Sequence, residues 1–275
     1  MESISRAVSS SIPDMVGTPL ERLEATLGSY PSLIIAFSGG VDSSVVAAAA
    51  HRVKGNRAMA VTLKGPSIPS RDLAMAREVV KVIGIRHVEL SIDQLTDGRY
   101  AENPSNRCYF CRSMEGEKLT AIAKEMGLEA IVDGVHKDDL VADRPGLQAM
   151  SEWKVRHPLV EAGLSKEDVR AVARELGLPN SNSPSNSCLS SRVAHGEAIS
   201  QDLLDKIDLA EDYVVSLGFE QVRVRVKGGE ARVQVAKDEV PRLMEATVWE
   251  SVKGRLFLIG FRSVVPDPEG YKSGG

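Results

Sequence analysis

Ser38-Gly39-Gly40-Val41-Asp42-Ser43-Ser44 follows the apolar run Leu33-Ile34-Ile35-Ala36-Phe37 and leads into an alanine-rich stretch at 43–53. A continuous apolar run of strand length reads as a buried parallel strand, and the alanine-rich stretch reads as a helix. Strand, glycine loop and helix in that order aim backbone N–H groups and the positive helix end at one point. Gly39 and Gly40 let the backbone approach phosphate oxygens with no Cβ in the way. Ser38, Ser43 and Ser44 offer hydroxyl donors, and Asp42 is placed to help hold Mg²⁺ against the phosphates. Ser38, Gly39, Gly40, Asp42, Ser43 and Ser44 are therefore the candidate ATP-binding set. The loop lacks the Gly-Lys-Ser/Thr ending of a Walker A loop, which argues against γ-phosphoryl transfer and simple nucleotide hydrolysis. A glycine-serine turn with no ligand is the plain alternative.

Working outward, 58–62, 87–92 and 130–133 read as further strands. Helices are expected at 19–27, 72–83 and 112–126, and another starts where Ser165 and Asp168 form a capping box and ends at Gly177. Strands alternating with helices predict an α/β fold, a doubly wound parallel sheet, with ligands at the carboxyl ends of the strands. The stretch 180–186, rich in Asn, Ser and Pro, reads as a loop. The pattern changes after about residue 195. A helix at 201–217 precedes two alternating strands, 221–226 and 231–235, around Lys227-Gly228-Gly229-Glu230, which reads as a hairpin. A short helix and a strand at 255–259 complete a smaller C-terminal α+β domain. The expected division is a flexible lead-in at 1–18, a nucleotide domain at 19–195 and the small domain at 196–275.

Composition fits a soluble enzyme: 275 residues, 43% hydrophobic and 26% charged. There is no apolar run near the ~20 residues a membrane helix needs, and the start lacks the order of a secretory leader. A cytoplasmic protein without membrane contact is expected. The net charge of −4 argues against gripping a nucleic-acid backbone, since such proteins carry a basic excess.

Three cysteines argue against a disulfide framework. Cys108-Tyr109-Phe110-Cys111 places two thiols near a helix start, and Cys188 ends the polar loop. Structural zinc wants four ligands, so His136 or His195 would have to join. Three thiolates suit a [4Fe–4S] cluster that leaves one iron open to an exogenous ligand such as sulfide. Simple burial of small thiols is the plain reading.

The glycine-serine loop resembles the PP-loop of the ATP-pyrophosphatase superfamily, which implies that it grips the β,γ-pyrophosphate while a substrate oxygen attacks the α-phosphorus. Asn106-Arg107-Cys108-Tyr109-Phe110-Cys111, the stretch from Asp133-Gly134 through Asp138-Asp139 to Asp143-Arg144-Pro145-Gly146, and Cys188-Leu189-Ser190-Ser191-Arg192 together resemble the LarE family. So do Gly218-Phe219-Glu220-Gln221-Val222-Arg223-Val224-Arg225 and Glu269-Gly270-Tyr271-Lys272-Ser273-Gly274. His136 and Ala194-His195-Gly196 depart from that family's pattern.

The resemblance implies an ATP-dependent sulfur transferase of nickel-pincer nucleotide cofactor synthesis. It would adenylate a carboxylate of pyridinium-3,5-biscarboxylic acid mononucleotide and convert it to a thiocarboxylate. Sulfur would come from a sulfide or persulfide donor. One branch of the family sacrifices the sulfur of a cysteine matching Cys188; the other holds a [4Fe–4S] cluster on three cysteines, here Cys108, Cys111 and Cys188. A homo-oligomer is also implied. For the substrate side, Ser191 and Arg192 follow Cys188, while Arg223 and Arg225 share a strand face and suit a phosphate. Two solvated arginines are the plain reading. Glu211 is a candidate acid or base by resemblance, and a surface charge by position alone. Tyr109 suits stacking on the pyridinium ring or packing beside the cluster. Asp133, Asp138 and Asp139 follow a strand, where Mg²⁺ support, a loop contact or an Asx turn fits, the turn being the plainer. Rival readings are a tRNA thiolase, an ammonia-using amide synthetase of the NAD or GMP type, and a non-catalytic nucleotide sensor.

Overall fold

A computed structural model describes residues 16–141, 145–184 and 186–271. Most of the expected lead-in, together with Asp143, Arg144, Lys272, Ser273 and Gly274, lies outside the described residues. Four parallel strands form the main sheet in the order β3-β2-β1-β4: β1 (Leu33–Ala36), β2 (Ala58–Lys64), β3 (Arg86–Ser91) and β4 (Ala130–Val132). In register, Leu33 lies between Ala58 and Ala130. The period of two then separates the sheet faces. Leu33 and Ile35 enter a core with Leu23, Leu27 and Val45, whereas Ile34 joins Leu119, Ala123 and Met150 on the other side. Two apolar faces demand helices on both, and helices cover both. The helices are α1 (Pro19–Gly28), α2 (Val41–Lys54), α3 (Ser70–Ile83), α4 (Arg107–Met126), α5 (Pro145–Glu152) and α6 (Lys166–Glu175). The predicted doubly wound α/β fold is what the chain adopts.

Caps set the boundaries. Ser165 accepts from the Asp168 backbone while the Asp168 carboxylate accepts from the Ser165 backbone at 2.9 Å, the capping box read from the sequence. Helix α4 begins at Arg107, ahead of the expected 112, so both thiols of Cys108 and Cys111 ride on its first turns.

The C-terminal part contains α7 (Gln201–Ser216), β5 (Arg223–Lys227), β6 (Glu230–Gln234), α8 (Ala246–Ile259) and β7 (Ser263–Pro266). Strands β5 and β6 pair antiparallel as the expected hairpin, and β7 adds parallel to β6. The strand expected at 255–259 is instead the last turn of α8; the third strand comes after Gly260. A short apolar run is ambiguous between helix and strand by periodicity alone. Val252 and Leu256, four apart, bury together on one helical face and settle it. A second core built on Ile207, Val214, Val224, Val233 and Leu256 also takes in Tyr100, with Phe110 and Cys111 packed against it. The cysteine-bearing start of α4 is thus wedged against the C-terminal part.

Candidate active site

The glycine loop lies at the carboxyl end of β1, where the first turn of α2 begins. Gly39 has φ +78°, and a Cβ there would sit 2.8 Å from the Ala76 Cα of α3. Both conformation and space therefore require glycine. Ser43 Oγ lies 3.2 Å from Ser38 Oγ, and Ser44 Oγ donates to the Gly40 carbonyl at 2.8 Å. These hydroxyls and the free backbone N–H groups of the helix start surround the point an anion would occupy. The Asp42 carboxylate meets Lys166 Nζ at 2.6 and 2.7 Å. Its hard oxygens suit Mg²⁺, and Lys166 would then be free for phosphate.

Two supports of this loop were not among the candidate site residues. Asn180, fully buried, donates to the Gly39 carbonyl at 2.7 Å and to Ser44 Oγ at 2.9 Å. Gly134 touches the start of α2: a Cβ there would lie 2.6 Å from Ser43 N. The acidic stretch after β4 makes several hydrogen bonds, among them Asp133 Oδ1 with His157 Nδ1 at 2.8 Å. Asp133 closes an Asx turn by accepting from Val135 N at 3.0 Å, Asp138 accepts from Lys166 N at 2.7 Å, and Asp139 accepts from His136 N at 3.2 Å.

The thiols come from two segments that the fold brings together. Arg107, buried beside Cys108, donates to the Ser190 carbonyl at 2.8 Å and to the Asn103 side chain. Leu189 N donates to Ser67 O of the loop after β2 at 2.8 Å. Cys188 is thereby tied at once to the other cysteines and to the ligand edge of the sheet. All three cysteines are free. Burial pushes the Cys188 thiol up, the Arg107 charge opposes this, and Cys108 adds to it. Burial, then Glu115 and Cys188, hold Cys111 well above the usual thiol range. Each thiol thus lies within electrostatic reach of another, and three soft donors fit a thiolate-held group. Among the described residues no three His, Cys, Asp or Glu side chains yet converge as metal ligands do. Tyr109 donates to Glu152 at 2.7 Å and meets Phe110 edge-on.

Glu211 is not a surface charge. It is fully buried and accepts from Arg192 Nε at 2.8 Å, Arg71 Nη2 at 2.6 Å and Val224 N at 3.0 Å. Burial would raise its pKa, but the Arg192 bond and the charges of Arg192 and Arg71 outweigh burial and hold it below the usual range. Arg192, equally buried, also grips the Ser187 and Cys188 carbonyls at 2.6 and 2.9 Å. Ser191 Oγ donates to the Cys188 carbonyl at 2.8 Å. Arg223 is buried over Tyr271, and burial plus the Arg192 charge push it down to about 10. Arg225, partly buried, reaches Gln234 and the Ser191 carbonyl. So Arg192 and Arg225 hold the Cys188 turn, Arg223 lies within electrostatic reach of Arg192, and α3 contributes Arg71. Sequence reading missed Arg71, because nothing local marks an arginine in a helix's first turn as the partner of a glutamate 140 residues away.

A parallel sheet with a glycine-serine loop before α2, and no lysine in that loop, defines a PP-loop nucleotide-binding protein. Comparisons agree. The asparagine synthase family model matches residues 27–97. The chain is 33% identical over 260 residues to pyridinium-3,5-bisthiocarboxylic acid mononucleotide synthase of Lactiplantibacillus plantarum, covering 94% of each chain. It is 37% identical over 260 residues to an uncharacterized protein of Synechocystis sp., covering 94% of this chain and 97% of that one. A tRNA-specific 2-thiouridylase of Azorhizobium caulinodans matches at 31% over only 55% of this chain and 48% of its own. The chain belongs to the LarE family of pyridinium-3,5-bisthiocarboxylic acid mononucleotide synthases. Membership makes it an ATP-using enzyme of the sulfurtransferase type. Among the described residues no helix is long and apolar enough to cross a membrane.

Proposed function

We propose that this protein adenylates a carboxylate of pyridinium-3,5-biscarboxylic acid mononucleotide and converts it to a thiocarboxylate, in the cytoplasm, within nickel-pincer nucleotide synthesis. The observation that carries the reading is the anchoring of Cys188 both to the ligand edge of the nucleotide sheet, through Ser67, and to the cysteine-bearing helix, through Arg107. A sulfur site beside an ATP site is what adenylation followed by thiolation requires. The partial match to a tRNA thiolase covers half of each chain, and the net charge of −4 speaks against an RNA substrate.

A carboxylate resists attack by an anionic sulfur nucleophile. Attack of one carboxylate oxygen on the α-phosphorus of ATP forms an acyl-adenylate and releases pyrophosphate, which splits one hard step into two easier ones. Sulfur then forms a C–S bond as the C–O bond to AMP breaks. Ser38, Gly39, Gly40, Ser43, Ser44 and Lys166 hold the pyrophosphate, and Asp42 is the donor for Mg²⁺. Arg225, with Arg71, Arg192 and Arg223 behind it, draws the nucleotide phosphate towards the Cys188 turn. Ser191 shapes that turn, Glu211 fixes Arg192, and Tyr109 borders the thiols. Cys108, Cys111 and Cys188 would hold a [4Fe–4S] cluster, whose open iron supplies a seat for sulfide from a sulfide or persulfide donor. We keep the division at residue 195 between nucleotide and substrate units, and a homo-oligomer, as parts of this reading.

Iron and acid-labile sulfide in anaerobically purified protein test the sulfur half. About four of each per chain are expected, lost in Cys108→Ala, Cys111→Ala and Cys188→Ala alike. Zinc, or no metal, contradicts the cluster and leaves Cys188 as a sacrificial donor or an amide-forming synthetase.

A further inference from the structure

We propose that the groove along α6 is a pyrophosphate site that receives the leaving group after adenylation; this rests on the adenylation reading above. Helix α6 buries Val169, Val172 and Ala173 in the core that also takes Val45 and Val46 of α2, the helix that opens at the glycine loop. Lys166, Arg170 and Arg174 recur every four residues, the spacing that puts side chains on one helical face. With Asp138, Ser165 and Glu167 they line an open groove of about 630 Å³. At ~1.5 Å of rise per residue, the three cations are spread over roughly 12 Å.

Two contacts tie the groove to the glycine loop. At its near end, Lys166 Nζ lies 2.6 and 2.7 Å from the two Asp42 carboxylate oxygens. Along its side, Arg170 donates to the Ser181 and Ser183 carbonyls at 3.3 and 3.1 Å. Asn180, one residue earlier in that segment, holds the Gly39 carbonyl at 2.7 Å and Ser44 Oγ at 2.9 Å. The groove therefore starts beside the loop assigned to the β,γ-phosphates and leads along α6 to Arg174, which is exposed to solvent.

The charges fit a compact polyanion. Lys166 is paired with Asp42, but the Arg170 bonds go to uncharged carbonyls, and Arg174 enters no ion pair among the described residues. Both guanidinium charges thus remain for an incoming anion. Three cations face two carboxylates in the groove, and one of these, Asp138, already accepts from Lys166 N at 2.7 Å. Pyrophosphate presents a row of acceptor oxygens on two linked phosphorus atoms, and guanidinium groups bind such oxygens two at a time. An open, wet groove holds the anion loosely, as a departing product requires. No bond is made or broken there. The link from the α-phosphorus to the bridging oxygen has already broken at the loop, and the groove draws pyrophosphate away from the reverse attack on the acyl-adenylate.

The test is calorimetric titration of inorganic pyrophosphate into the full chain saturated with α,β-methylene ATP, whose α–β link cannot be cleaved, so that the loop is already filled. Wild type is expected to bind pyrophosphate at a single site. Arg170→Gln/Arg174→Gln should bind it about 10-fold more weakly or worse, with unchanged affinity for the analogue. Arg174→Gln alone, at an exposed position, should lose about 2- to 5-fold, and it decides the matter if the double variant fails to fold. Equal pyrophosphate affinity in wild type and variants, or no binding to the loaded wild type, overturns the proposal. So does a loss of analogue affinity in step with that of pyrophosphate, which would place the arginines on ATP itself. The adenylation reading stands or falls separately, on whether wild type forms AMP from ATP and the mononucleotide.

Discussion

Glu211→Ala is expected to destabilise the protein by about 3–5 kcal/mol, the range for breaking one partner out of a buried ion pair. The carboxylate is the hub between two structural units: it holds Arg192 of the Cys188 turn, Arg71 of α3 and the Val224 backbone of β5. Removing it takes the buried carboxylate away from Arg192, which has no exposed side-chain surface, and from Arg71 and the buried Arg223, with Asp72 and Asp212 as the acidic groups still acting on them. The sign of the pH effect follows. The Glu211 pKa is depressed in the folded protein, so its contribution is complete above the unfolded glutamate value, about 4.3. It is lost as pH falls through the depressed folded value. Urea unfolding of wild type and variant should show the full gap near neutrality and a narrowing gap in acid. Inorganic phosphate should recover more stability in the variant than in wild type, because the surplus of guanidinium charge would then meet an anion. A gap under about 1 kcal/mol, the scale of an exposed pair, would deny Glu211 this organising role.

Gly39→Ala is the second large effect. A side chain at φ +78° costs about 1–2 kcal/mol by conformation alone. The new Cβ would also come 2.8 Å from the Cα and Cβ of Ala76, neither of which is a flexible side-chain end. The loop or α3 must move. If the loop moves, Asn180 loses its grip on the Gly39 carbonyl and the hydroxyls of Ser43 and Ser44 shift with it. A misplacement on the scale of 1 Å costs on the order of 10²-fold in rate. Pyrophosphate release is expected to fall by at least that factor while the variant stays folded by circular dichroism, since most of the core lies elsewhere. Retention of more than a tenth of the rate would show that the loop does not hold the leaving group.

Much of this was legible because it is local. The run 33–37, the glycine loop and the Ser165 capping box each carry their cause within a few residues, and the structure places them as read. The run 255–259 misled because an apolar pentapeptide fits a strand and a helix equally; only Val252, outside it, revealed the helical face. Arg71, Asn180, Lys166 and His157 were illegible for a different reason. Each acts on a partner far along the chain: Glu211, Gly39, Asp42 and Asp133. Long-range pairings of this kind leave no period and no spacing. The burial of Glu211 belongs to the same class, since its helix offers an amphipathic pattern but not the two arginines that make burial tolerable.

The most direct test of the central claim is a single reaction of the intact protein with ATP, Mg²⁺, pyridinium-3,5-biscarboxylic acid mononucleotide and sulfide, read by mass spectrometry of the small molecules. The account predicts AMP, pyrophosphate and a mononucleotide heavier by the exchange of one oxygen for sulfur, with thiocarboxylate but not AMP lost in Cys188→Ala. ADP in place of AMP, or a mononucleotide that leaves the reaction unchanged, would contradict it.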